Sequence, residues 1–138
     1  MNTCVRAMIL DKNNQVVLLK HNGMQKFTFP GGKVDNGEYQ DDAIIRELLE
    51  EVGLQVDYTD LIKVTSFNHK VETKEHKEID VDMNFYEIRI DDLSSLINKE
   101  PESHESLTYI PLSVLLKYKD SDVLDGAVKK FILCRYGK

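Results

Sequence analysis

The sequence predicts an α/β domain, a mixed β-sheet covered by helices, and three observations carry that expectation. Apolar runs of strand length recur along the chain, helical stretches are interleaved with them, and 138 residues is a common size for a single compact core. Hydrophobic residues make up 41% and charged residues 30%, which is enough apolar side chain to bury a core and unlike the composition of a disordered segment. One domain over residues 1–138 is therefore expected.

Taken in chain order, CVRAMIL and QVVLLK flank DKNN and predict a hairpin or a pair of strands joined by a turn. KFTFP is a third short run, stopped by Pro30. A glycine loop follows, then a helix from about Glu38 to Val52. At about 100° per residue, Ile44, Ile45, Leu48, Leu49 and Val52 fall on one arc, with Glu47, Glu50 and Glu51 on the neighbouring one. Gly53 comes directly after the last periodic residue, where a left-handed cap favours glycine and ends the helix.

LIKVTSFNHKV and IDVDMNFYEIRI predict two further strands, separated by a charged loop around Glu72 to Glu78. In the second, Ile79, Val81, Met83 and Phe85 alternate before the apolar phase slips to Tyr86, Ile88 and Ile90. Either a bulge near Phe85 or a strand buried on both faces produces such a slip. NKEPESHES reads as a polar loop, LTYI as a short strand, and VLLKY and DGAVKKFILCRY as two helical stretches.

Composition narrows the function classes. No apolar stretch approaches the roughly 18 to 20 residues that cross a bilayer as a helix, and MNTCVRAMILDKNNQ lacks the apolar run and small-residue cleavage site of a secretory signal. A cytoplasmic protein with no membrane partner is expected. Cys4 and Cys134 stand at opposite ends of the chain without a CxxC, so free thiols are expected. A formal charge of −6 disfavours a general nucleic-acid binder. A phosphorylated ligand stays compatible if bound cations invert the local field.

The predicted helix carries an electrostatic oddity. Glu47, Glu50 and Glu51 are neighbours at helical spacing, and each like-charge pair costs a few tenths of a kcal/mol. Three carboxylates directed into one volume offer hard oxygen ligands to Mg²⁺, and the glycine loop before them permits close backbone approach. A solvated acidic face has the same spacing, so spacing alone leaves both readings open.

A longer pattern separates them. Gly32, Glu38, Arg46-Glu47-Leu48, Glu50-Glu51 and Gly53-Leu54, with five, seven, one and one residues intervening, resemble without departure the signature box of the Nudix hydrolases. The resemblance, most specific over residues 27 to 54, implies an α/β/α sandwich and cleavage of a diphosphate bond with Mg²⁺ or Mn²⁺. It implies metal ligation by Glu47, Glu50, Glu51 and the Gly31 carbonyl, and a supporting pair in Arg46 and Glu38. Glu47 is the favoured general base, with an acidic residue outside the box as the alternative.

PESHESLTYIPL resembles the loop from which many members supply a further glutamate, with Glu105 preferred over Glu102 as that ligand. His104, His69 and His76 have no spacing that favours ligation and read as surface or hydrogen-bonded histidines. VTSFNHKVET has neither the tyrosine common in dinucleoside polyphosphate hydrolases nor the proline of ADP-ribose hydrolases, and FTFPGGK is similar to the MutT-like branch. That branch implies hydrolysis of a nucleoside triphosphate, 8-oxo-dGTP included, to a monophosphate and pyrophosphate. Another nucleoside diphosphate derivative, or a ligand-binding protein without turnover, are the alternatives.

Lys33, Lys20 or Arg6 would assist at the phosphates. Phe27 and Phe29 are candidates for stacking on a base, against an ordinary core role. Asp120 or Asp122 is a candidate for reading a purine edge, against a helix N-cap role. A homodimer is common among similar proteins.

Overall fold

The computed structural model describes residues 2–21, 26–73 and 75–137, with the side chains of His21 and Glu105 outside that description. Strands β1 (Asn2–Leu10), β2 (Gln15–His21), β3 (Phe27–Thr28) and β4 (Gly31–Lys33) precede helix α1 (Gln40–Val52). Strands β5 (Ile62–Glu72), β6 (Glu78–Arg89) and β7 (His104–Pro111) come next, then helices α2 (Leu112–Lys117) and α3 (Gly126–Tyr136). The sheet runs β3-β2-β1-β6-β5, with β4 added to β1 and β7 to β2. It is mixed: β1 pairs with β6 in parallel from Asn2↔Val81 to Leu10↔Arg89, and the other pairings are antiparallel.

Period-two alternation sorts the side chains into two layers. Val5, Ala7, Ile9, Val17 and Leu19 pack beneath α1 with Ile44, Leu48 and Val52. Met8, Leu10, Val16 and Leu18 pack on the opposite layer with Leu115 of α2 and Val128, Phe131 and Ile132 of α3. Each buried leucine or isoleucine here contributes roughly 1.5–3 kcal/mol. The two layers explain β6, where Val81, Met83 and Phe85 enter one cluster and Tyr86 and Ile88 the other. The strand keeps its phase and is buried on both faces. A bulge does exist, but on β5: Lys63 pairs with Tyr86 and Thr65 with Phe85, leaving Val64 as the extra residue.

Two details of α1 differ from the periodicity. The buried residues are Ala43, Ile44, Leu48, Glu51 and Val52, so the core arc is centred between Ile44, Leu48 and Glu51, while Leu49 is exposed. The arc is rotated toward the acidic face and draws Glu51 inside. Gly53 caps the helix at φ 72°, its N–H reaching the Leu48 and Leu49 carbonyls, as its position after Val52 predicts.

β1 and β2 are in register at Leu10↔Val16. Away from that end β1 turns to β4, through Cys4↔Lys33, Val5↔Gly32 and Arg6↔Gly31, while β2 turns to β3 and β7. The sheet thus opens between β4 and β7. Among the described residues, no helix is long and apolar enough to cross a membrane.

Candidate active site

The opening in the sheet is floored by backbone that passes unusually close to its neighbours. A Cβ on Gly31 would fall 2.0 Å from the Val5 carbonyl oxygen, and one on Gly32 would fall 2.5 Å from the Glu47 carboxyl carbon. Two bare residues therefore let α1 lie its acidic side against β4. Glu51 Oε1 accepts the Gly31 N–H at 2.6 Å, and the side chain is almost wholly removed from solvent. Glu47 is half-buried, and Glu50 stays open to solvent.

Burial dominates the electrostatics. Dehydration, reinforced by Glu47, pushes the Glu51 carboxyl up to about 8 even though the Gly31 N–H opposes the shift. Burial also raises the Glu47 carboxyl, against the nearby Arg46. The last turn of α1 carries no basic residue, so these carboxylates also face the negative end of the helix dipole uncompensated.

Arg46 restrains the acidic face. Its guanidinium donates from Nε to Glu38 Oε2 at 2.8 Å and from Nη2 to Glu38 Oε1 at 2.9 Å, while Nη1 donates to Glu47 Oε1 at 3.0 Å. Nη2 also donates to the Lys33 carbonyl at 3.1 Å. The fork holds the Glu38 carboxyl down at about 2 and aligns helix, loop and β4 at once. Arg46→Lys keeps the charge and loses the fork. Its expected result is a kcat lower by about 10-fold or more, from one or two charge-assisted bonds, with KM little changed, measured by steady-state kinetics.

A second segment closes on the same place. The Ile97 and Lys99 N–H groups donate to the Val52 and Glu51 carbonyls, satisfying the end of α1 with loop backbone. Asn98 then clamps a turn: its side-chain oxygen accepts the Glu100 N–H and its amide donates to the His104 carbonyl. The turn brings His104 Nε2 to 3.4 Å from Glu51 Oε2, with Glu100 beside them. His104 is only 2% exposed and its imidazole pKa is lowered, mainly by burial. It is thus a buried neighbour of the acidic helix, and not a surface histidine. The sequence does not single out Glu100, and it reads His104 as a surface or hydrogen-bonded histidine, because their partner is 49 residues away from the nearer of them and the local trace is only the four-residue spacing between them. The Glu105 side chain lies outside the described residues, and Glu102 lines the adjoining cleft.

That cleft has a volume of about 690 Å³, and its lining includes Cys4, Arg6, Thr28, Lys33, Ser103 and Asp125. Arg6 Nη1 donates to the Phe29 carbonyl at 3.1 Å, while Arg6 Nε and the Thr28 hydroxyl are buried with no hydrogen-bond partner among the described residues. Two polar atoms left unmatched in this way await a ligand or water.

Several sequence candidates fall elsewhere. Phe29 is fully buried and meets Phe85 and Phe131 edge-on, so its role is core packing. Phe27 is half-buried with Lys20 Nζ 5.9 Å from its ring centre, and Thr28 is the β3 residue that lines the cleft. The Asp122 side chain is 96% exposed and pairs with Lys129. Asp125, the residue at the N-cap of α3, reaches the cleft in its place, and Asp120 lies on the far side of α3 with Lys129 and Leu133. His69 lines the cleft, and exposed His76 pairs with Glu72.

The donor set suits a divalent cation. Glu47, Glu50 and Glu51 offer hard oxygens, and a buried carboxylate among other carboxylates is relieved by a cation more readily than by any residue of α1.

Comparison with known proteins gives a consistent likeness. A family model described as NUDIX domain matches residues 2–131. The chain is 42% identical over 53 residues to an RNA pyrophosphohydrolase of Tolumonas auensis, covering 38% of this chain and 30% of that protein. It is 39% identical over 47 residues to a Bacillus subtilis protein provisionally named an 8-oxo-dGTP diphosphatase, covering 34% of this chain and 32% of that protein. The matches span about a third of the length of these curated relatives. The solved structure of a mutator MutT protein from Bacillus halodurans superposes with a TM-score of 0.74 at 17% identity, over 100% of this chain and 85% of that one; this is a likeness of fold.

Proposed function

Because the chain belongs to the NUDIX domain family, whose model matches residues 2–131, we propose that it hydrolyses a nucleoside triphosphate, oxidised purine forms included, to the monophosphate and pyrophosphate. One observation carries the reading: Glu47 and Glu51 pack against the Gly31–Gly32 backbone, with Glu50 beside Arg46 on the same helix, near a cleft of about 690 Å³ whose lining includes Lys33 of β4. That volume lies within the usual range for a small-molecule site. The name of the Bacillus subtilis relative supports the substrate class.

Glu47, Glu50 and Glu51 would hold Mg²⁺ or Mn²⁺, which when bound polarises phosphoryl oxygens and lowers the pKa of water. Glu47 is the proposed base, accepting the water proton on a carboxylate oxygen. Arg46 bonds Oε1 of that carboxylate, so it orients the base and keeps it charged against its own desolvation. Arg6 and Lys33 line the cleft and would offset the negative charge of the polyphosphate. The Thr28 hydroxyl and Arg6 Nε would meet polar atoms of the ligand.

A second reading has a specific observation behind it, since the Tolumonas auensis relative is named an RNA pyrophosphohydrolase. A net charge of −6 weighs against a long RNA contact, because phosphate backbones need cationic surface. A substrate panel discriminates. Nucleoside triphosphates, 8-oxo-dGTP, triphosphorylated RNA, ADP-ribose and a nucleotide sugar are each supplied with Mg²⁺, and products are resolved by chromatography. Monophosphate plus pyrophosphate from a triphosphate is the expected outcome. Stepwise release of orthophosphate, or turnover of RNA ends alone, overturns it.

A further inference from the structure

The box glutamates account for the acidic side of α1, but Glu100 and His104 belong to a separate turn that is tied to the end of that helix through Ile97, Lys99 and Asn98. We infer that His104 donates its ring nitrogen Nε2 to a divalent metal ion held between Glu51 and Glu100, so that this position takes a borderline ion such as Mn²⁺, Co²⁺ or Zn²⁺ in preference to Mg²⁺. The inference rests on the reading that Glu51 faces metal, and it adds a nitrogen to what is otherwise a set of oxygens.

Geometry carries it. One ligand atom from each of Glu51, Glu100 and His104 lies within 4.8 Å of the other two. Glu51 Oε1 is committed to the Gly31 N–H, which fixes the carboxylate and leaves Oε2 facing His104 Nε2 at 3.4 Å. A charge-assisted N–H···O bond closes to about 2.7–2.9 Å. At 3.4 Å the pair is wider than that, and an ion about 2.1 Å from each atom would fit between them. Both side chains are almost fully buried, so Oε2 and Nε2 face each other and are largely shielded from solvent.

Ion preference follows from donor chemistry. Mg²⁺ demands oxygen ligands and keeps its waters, whereas imidazole suits first-row transition ions. Hydrogen bonds tie this turn to the helix: the Ile97 and Lys99 N–H groups donate to the Val52 and Glu51 carbonyls, and Asn98 bonds both ends of the turn.

The test uses metal binding. Metal-free protein is titrated with Co²⁺ alone, by visible absorption and calorimetry, and the Mn²⁺-loaded protein is examined by pulsed electron paramagnetic resonance. A single imidazole-nitrogen coupling to Mn²⁺ is expected. His104→Gln should remove it and weaken Co²⁺ binding about 10–100-fold, leaving Mg²⁺ affinity unchanged. Should His104→Gln fail to fold by circular dichroism, Glu100→Gln serves instead, weakening Co²⁺ while the nitrogen coupling persists. Absence of the coupling in the unaltered protein, its survival in His104→Gln, or equal losses of Mg²⁺ and Co²⁺ would each overturn the inference. Hydrolysis with Mg²⁺ but no nitrogen coupling refutes this inference alone. Nitrogen coupling without hydrolysis refutes only the functional reading.

Discussion

Glu51→Gln is expected to lower kcat by about 10³-fold and, in the metal-free protein at pH 8.5, to raise the melting temperature. The two effects have one origin. Glu51 is buried, and its carboxyl is pushed up to about 8, chiefly by desolvation and next, on the raising side, by Glu47. In the unfolded chain the same group ionises near the ordinary carboxylate value of about 4.3. Below that value both states are protonated and the group costs nothing. As pH rises toward 8 the unfolded state loses its proton first, so the metal-free fold loses stability over that window and holds the deficit above it. Glutamine has the same shape, can still accept the Gly31 N–H through its oxygen, and carries no charge, so the deficit is absent. Thermal melts from pH 5 to pH 9 should show the variant and the parent converging at the acid end and separating toward pH 8. Mg²⁺ should reverse their order by stabilising only the parent. A variant that is destabilised throughout would contradict the buried-charge account, and one that retains full turnover would remove Glu51 from the machinery.

Gly32→Ala should cost about 10²-fold in kcat with little change in melting temperature, since a displacement of about 1 Å at a reacting group is enough for such a loss. The new Cβ would stand 2.5 Å from the Glu47 carboxyl carbon and 2.6 Å from its Oε1. The obstructed atoms are the end of a flexible side chain, so the fold accommodates the methyl by moving Glu47 off its bond with Arg46. Gly31→Ala meets a different obstacle. Its Cβ would lie 2.0 Å from the Val5 carbonyl oxygen and 2.6 Å from the Arg6 Cα, at φ 151°. Backbone in a paired strand cannot step aside, so this variant should fail to give a cooperative melt. Kinetics and circular dichroism on the pair separate damage to the site from damage to the sheet. A Gly32→Ala protein with parental kcat would show that the position of Glu47 is immaterial.

The parts of the site legible in the sequence are those where residues act on near neighbours. Glu38, Arg46 and the three box glutamates share a loop and a helix, so the resemblance over this one stretch is enough to pair Arg46 with Glu38, and Gly53 ends α1 where its position requires. The phase slip in β6 is visible in the sequence, but a bulge and burial on both faces give the same pattern, and only the two-layer packing of the strand decides between them. What spacing cannot supply is the direction in which a helix is rolled on its sheet. Ile44, Leu48 and Glu51 set that roll, exposing Leu49 and burying a charge that helical periodicity assigns to the outer face. Glu100 and His104 belong to a loop whose place is decided by backbone bonds to the end of α1, and no pattern within the loop announces its destination. Asp122 and Asp125 differ by three positions, and only the closure of α3 beneath Phe27, through the Asp125 N–H to the Phe27 carbonyl, determines which one reaches the cleft.

The parallel pairing of β1 with β6 also bears on how the chain acquires its shape. Asn2 waits for Val81 and Leu10 for Arg89, so during synthesis β1 has no lasting neighbour on that side until most of the molecule has been made. Closing so long a loop is slow in entropic terms. Assembly of the sheet therefore comes late, and the nascent segment before it is the stretch most in need of shelter from other chains.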